Sequence, residues 1–76
     1  MNVTVYSTPT CPWCHKAKEY LQYKEVRYRD VNVAADRAGA IEMIRKSGQS
    51  GVPVIDIDGN IIVGFDQARI DSLLRR

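Results

Sequence analysis

The sequence has no long hydrophobic run. No stretch of its 76 residues approaches the ~20 apolar residues of a membrane span. Its opening residues carry no charged segment followed by an apolar one, the mark of a secretory leader. Cysteine is scarce, with two residues, and histidine scarcer, with one. Two cysteines cannot supply the several disulfides that hold small secreted domains together, so a cytoplasmic protein is expected. Charge of one sign is missing too. Eleven basic and nine acidic residues are interspersed, with adjacent cations only at Arg45-Lys46 and Arg75-Arg76. A nucleic-acid surface needs a basic stripe, so that class of partner is not expected. Repeats, linkers and low-complexity segments are absent, and one domain over residues 1–76 is expected. At this size about 60% of the unfolded surface is buried, which makes the core thin.

What the chain does have is Thr10-Cys11-Pro12-Trp13-Cys14-His15, which holds both cysteines two residues apart. Asn2 to Ser7 is rich in β-branched and aromatic residues and reads as a first strand. Ser7-Thr8-Pro9-Thr10 is a loop of turn formers. Pro12 suits the first position of a helix, where its missing N–H costs nothing, and this makes Cys11 the N-cap. The helix predicted over 12–24 carries Cys14, Ala17 and Leu21 on one apolar face, with Lys16, Lys18 and Glu19 on the wet side.

Residues 26–31 alternate apolar and charged at first and read as a second strand, parallel to the first by the right-handed rule. A second helix is predicted over 32–46. Ala38, Ile41 and Ile44 or Arg45 form its stripe, Asp36 lies in its first turn and Gly48 is its cap. Gly39 inside it costs about 1 kcal/mol against alanine. Residues 52–57 and 60–63 flank Asp58-Gly59, a preferred type I′ hairpin turn. Asp66 caps a last helix over 67–75, with Ile70, Leu73 and Leu74 on one side. The order is β-α-β-α-β-β-α.

The paired cysteines point to redox chemistry. The thiolate, not the thiol, attacks a disulfide. A helix N-terminus favours a thiolate through its unpaired N–H groups. Cys11 therefore reads as the nucleophile that forms a mixed disulfide with a substrate. Cys14, one turn in and less exposed, then resolves it. The rival reading is a metal or iron–sulfur carrier. With His15 as the only histidine, one chain falls short of the four ligands of a structural zinc site or a cluster. Trp13, next to Pro12 at the helix start, is predicted to lie exposed beside the thiols as a docking surface. Pro53 opens an apolar strand, as first-position prolines do.

With these residues in view, the sequence resembles the glutaredoxin family of the thioredoxin superfamily over essentially its whole length. It resembles in particular the short bacterial glutaredoxin-like redoxins, some called ribonucleotide-reductase-type redoxins. Tyr6-Ser7 with Cys11-Pro12-Trp13-Cys14 resembles the family's active-site segment. Gly51-Val52-Pro53-Val54 resembles its cis-proline loop, and Val63-Gly64-Phe65-Asp66 its glycine turn. The resemblance implies a four-stranded mixed sheet of order 2-1-3-4 with three helices. It also implies a cis Val52–Pro53 bond against the cysteines, with the Val52 backbone pairing to an extended substrate.

By the same resemblance, substrate or glutathione is expected to meet Pro12, Trp13, Gln49, Val52, Pro53, Gly64, Phe65 and Asp66. No bound cofactor or metal is expected, and glutathione is the expected reductant of a monomeric oxidoreductase acting on small or protein disulfides. The alternative is the same chemistry recharged by thioredoxin reductase. Two departures bear on that choice. Thr8 stands where the family typically has a lysine for a glutathione carboxylate, and Phe65 stands where it often has a second glycine.

Overall fold

The apolar alternation of the first strand decides which helix covers which side of the sheet. In the computed structural model, which describes residues 1–75, β1 (Val3–Ser7) turns Val3 and Val5 to one face and Tyr6 to the other. α1 (Pro12–Tyr23) brings Ala17 and Leu21 onto Val3 and Val5, and α3 (Gln67–Leu74) brings Ile70 to the same cluster. α2 (Arg37–Ser47) covers the opposite face, where Tyr6, Val31, Met43 and Val54 pack together. β2 (Arg29–Asn32), β3 (Val54–Ile57) and β4 (Asn60–Val63) complete a sheet of order β2-β1-β3-β4. β1 pairs parallel with β2 and antiparallel with β3, and β3 pairs antiparallel with β4. This is the thioredoxin fold expected from the sequence.

The Asp58-Gly59 turn has positive φ at both residues, 50° and 89°, as a type I′ turn requires. The Asp66 carboxylate caps α3 by accepting from the Arg69 N–H at 3.1 Å, and α3 ends at Leu74, one residue early. Gly48 ends α2 in the left-handed region at φ 72°.

Four sequence expectations need correction, the first being that the third strand begins at Val54, not Val52, so that Pro53 precedes it. The second strand begins at Arg29, not Val26. The chain leaves α1 through Glu25 at φ 58°, and the Val26 N–H returns to the Leu21 carbonyl at 2.9 Å. Val26 and Tyr28 pack on the core from this crossover without strand pairing. The second helix begins at Arg37, not Asn32, because Asn32 closes a turn by accepting the Ala34 N–H on its side chain. Asp36 is then the N-cap, accepting from the Gly39 N–H at 2.9 Å. Finally, the buried face of α2 is Gly39 and Met43, while Ile41 and Ile44 are exposed. Gly39 marks where the helix touches the sheet. A Cβ there would stand 2.4 Å from Val31 Cγ1, so the missing side chain sets the packing distance.

Candidate active site

The loop after β1 delivers the two cysteines to the start of α1. Cys11 is the N-cap, with extended backbone at φ −94° and ψ 111°, and Pro12 takes the first helical position. The Cys11 sulfur accepts the Cys14 N–H at 3.2 Å, so it occupies the place of a capping oxygen. Its thiol is directed at the Val52 carbonyl, 3.9 Å away on the neighbouring loop. Cys11 is half-buried and Cys14 fully buried, and both are free thiols. Burial pushes the Cys14 thiol up to about 11, and the Cys11 sulfur adds to the effect. A backbone hydrogen bond from Thr8 and the charge of Lys18 oppose it.

The Val52–Pro53 peptide bond is cis. The Pro53 carbonyl accepts the Gly64 N–H at 2.8 Å, which ties the proline loop to the turn before α3. Gly64 has φ 84°, where a side chain would be strained. Trp13, Val52, Pro53, Gly64 and Phe65 line an open groove of about 260 Å³ beside Cys11. Trp13 is 57% exposed, as its position predicted. Its ring lies 6.4 Å from that of Phe65 at 32°, and Phe65 meets the edge of Tyr20 at 5.8 Å. The Tyr20 hydroxyl donates to Asp71 on α3, so the inner wall is anchored to two helices. Lys16 Nζ lies 5.1 Å from the Trp13 ring centroid, at the rim.

The predicted site residues thus divide. Trp13, Val52, Pro53, Gly64 and Phe65 converge on the groove, and Pro12 lies exposed at the first helical position without lining it. Gln49 and Asp66 do not line it. The Gln49 amide donates to Ser47 Oγ and the Gly51 carbonyl and accepts the Gly51 N–H at 2.6 Å, so it braces its own loop. Asp66 caps α3. Among the described residues no group of three or more His, Cys, Asp or Glu side chains is placed to hold a metal ion.

The comparisons with known proteins bear directly on this geometry. The family model for glutaredoxin matches residues 3–62, more than half of the chain. The chain belongs to the glutaredoxin family. It is 60% identical to a glutaredoxin-like 8.6 kDa protein in the rubredoxin operon of Clostridium pasteurianum, over 97% of this chain and 99% of that one. It is 42% identical to glutaredoxin 3 of Escherichia coli, over 86% of this chain and 78% of that one. Among solved structures it is similar to the glutaredoxin-like protein NrdH-redoxin from Escherichia coli. The TM-score is 0.84 at 26% identity, covering 96% and 95% of the two chains, and that protein has a thioredoxin-like activity profile. The chain is a glutaredoxin-type thiol–disulfide oxidoreductase, and Cys11 and Cys14 are its only cysteines.

One group near this glutaredoxin's dithiol was not anticipated. Lys18, predicted to face water, has a side chain only 17% exposed. It donates to Asp30 Oδ2 at 3.0 Å and to Ser7 Oγ at 3.2 Å. The spacing held the clue. Cys14, Ala17, Lys18 and Leu21 stand at i, i+3, i+4 and i+7, so Lys18 belongs to the stripe that the apolar residues define.

Proposed function

We propose that this protein is a dithiol reductant of protein disulfides. Cys11 attacks the substrate disulfide, one substrate sulfur leaves as a thiolate and takes up a proton, and a mixed disulfide remains on Cys11. Cys14 then attacks Cys11, the second substrate thiol is released, and the Cys11–Cys14 disulfide holds the two electrons' worth of oxidation. The single observation that supports these roles is the inequality of the two sulfurs. Cys11 is partly exposed beside the groove, whereas Cys14 is fully buried with its thiol pushed up.

Recharging by a thioredoxin-reductase-type protein, rather than by free glutathione, is the reading the groove supports. Its lining carries no charged side chain. Glutathione brings two carboxylates and an ammonium group, and leaving such charges unpaired against apolar walls is costly. An extended, largely apolar protein segment fits those walls. The Val52 backbone offers it strand-like pairing, and the cytoplasm is where such a dithiol stays reduced. Glutathione is the second reading. It is favoured by the 42% identity to glutaredoxin 3 and by Lys16, which sets one cation at the groove's rim.

The test supplies the oxidised protein with NADPH and either thioredoxin reductase or glutathione plus glutathione reductase. Thioredoxin reductase is expected to support at least tenfold faster NADPH consumption. Equal or faster turnover with glutathione would overturn the choice of reductant.

A further inference from the structure

The groove is not the only opening beside the cysteines. A second cleft of about 290 Å³ lies against the other side of the start of α1, lined by Ser7, Pro9, His15, Lys18, Asp30 and Asn32. Its floor is polar and fully paired. Ser7 is 2% exposed at the end of β1, and its hydroxyl donates to Asp30 Oδ1 at 2.8 Å while accepting from Lys18. Strand parity explains the meeting. Ser7 shares the α1 face of β1 with Val3 and Val5, and Asp30 faces the same way because Val31 beside it faces α2. Lys18 comes from α1, one turn beyond Cys14 and on the same side.

An exposed surface pair of this kind contributes little to stability, about 0–1 kcal/mol. The Lys18 side chain is nevertheless only 17% exposed, and a cation so fixed calls for another account. Resolution supplies one. Cys14 must lose its proton inside the protein before it can attack Cys11, and burial works against the anion. A fixed positive charge on the same face of the helix works for it.

We propose that Lys18, held by Asp30 and Ser7, is a positioning residue that stabilises the thiolate of Cys14 during resolution. The proton of Cys14 passes to solvent. The Cys14 sulfur bonds to Cys11, the bond between Cys11 and the substrate sulfur breaks, and that sulfur leaves as a thiolate. No further oxidant or reductant enters. The charge on Cys14 from Lys18 has the sign this requires. The other charged or titratable groups around Lys18 are Asp30 from β2 and His15 from α1, whose ring meets the Pro9 carbonyl at 2.9 Å. The inference rests on the dithiol chemistry and is independent of which reductant recharges the protein.

The experiment uses the full reduced chain and the aromatic disulfide 5,5′-dithiobis(2-nitrobenzoate). Attack by Cys11 releases one coloured thiolate, and resolution by Cys14 releases a second, so one trace reads both steps. Rates are followed from pH 7 to 9.5, above the usual titration of histidine near 6.5. Lys18→Met is expected to slow the second release at least tenfold at pH 7 and to move its pH dependence upward, with the first release within threefold of wild type. Lys18→Arg is expected to restore the second release to within threefold. If Lys18→Met slows both releases equally, the pair is only structural and the proposal fails. An unchanged second release in Lys18→Met overturns it too.

Discussion

The two sides of the start of α1 differ in the side chains that their walls carry. On one side, Trp13, Val52, Pro53, Gly64 and Phe65 form an apolar, open groove beside a partly exposed sulfur. On the other, Ser7, His15, Lys18 and Asp30 line a cleft in which Ser7, Lys18 and Asp30 are hydrogen-bonded to one another. The groove is open and has no charged wall, suited to a partner that comes and goes. The cleft has hydrogen bonds of 2.8–3.2 Å among fixed partners, suited to one sulfur that never leaves. Partner choice and sulfur chemistry are therefore separable in this molecule, although four consecutive residues carry both cysteines.

Separability can be broken first at the sulfurs. Cys11→Ser is expected to lower disulfide reductase activity at least 10³-fold, because a hydroxyl is not ionised at neutral pH. Cys14→Ser is expected to keep the first chemical step and to accumulate a mixed disulfide on Cys11, seen as an added mass in the intact protein. A Cys14→Ser protein that neither turns over nor traps substrate would refute the division of labour.

A smaller effect is expected on the groove side. Phe65→Gly removes the ring between Trp13 and Tyr20, and kcat/KM for a protein disulfide is expected to fall about tenfold. That corresponds to ~1.4 kcal/mol, part of the worth of a buried phenyl ring. Glutathione-dependent turnover is expected to rise in the same variant as room opens beside Gly64. If both activities fall together, Phe65 supports the fold and does not choose the partner.

The smallest effect belongs to pH and stability. The Cys14 thiol lies near 11 in the folded chain, above the ~8.5 of a free cysteine. The folded state therefore holds this proton more tightly than the unfolded state. The stabilisation is complete below about pH 8.5 and is lost as pH rises toward 11. The reduced protein is expected to lose Tm between pH 8 and 10, at about 4–8 °C per kcal/mol for a chain of this size. Cys14→Ser should show a shallower slope. Equal slopes would place the burial penalty elsewhere.

Much of this was legible in the sequence, and the parts that were not share a cause. The Asp58-Gly59 turn, the Asp66 and Gly48 caps and the Cys11-Pro12 helix start are local, because each is decided by the backbone needs of one or two residues. The buried face of α2 is not local. Gly39 contributes no apolar side chain to a periodic pattern, yet it is the point of contact with Val31. The apolar residues at helical spacing are instead Ile41 and Ile44, which are exposed. Val26 and Tyr28 alternate with charged residues as a strand would, yet they bury their side chains from a crossover without strand pairing. At the site, Trp13 and Phe65 could be placed from their neighbours in sequence. The spacing of Lys18 sets it on the apolar stripe of α1, but what holds a cation there is Asp30 and Ser7, which reach it from two different strands. Gln49 went the other way: its position suggested a ligand contact, and its hydrogen bonds go to its own loop.

The inequality of the two sulfurs carries the whole account, and competitive alkylation tests it most directly. The reduced protein is treated at neutral pH with less than one equivalent of iodoacetamide, and the modified peptide is sequenced by mass spectrometry. The account predicts label on Cys11 with Cys14 essentially free of it. Label shared equally, or found first on Cys14, would contradict it.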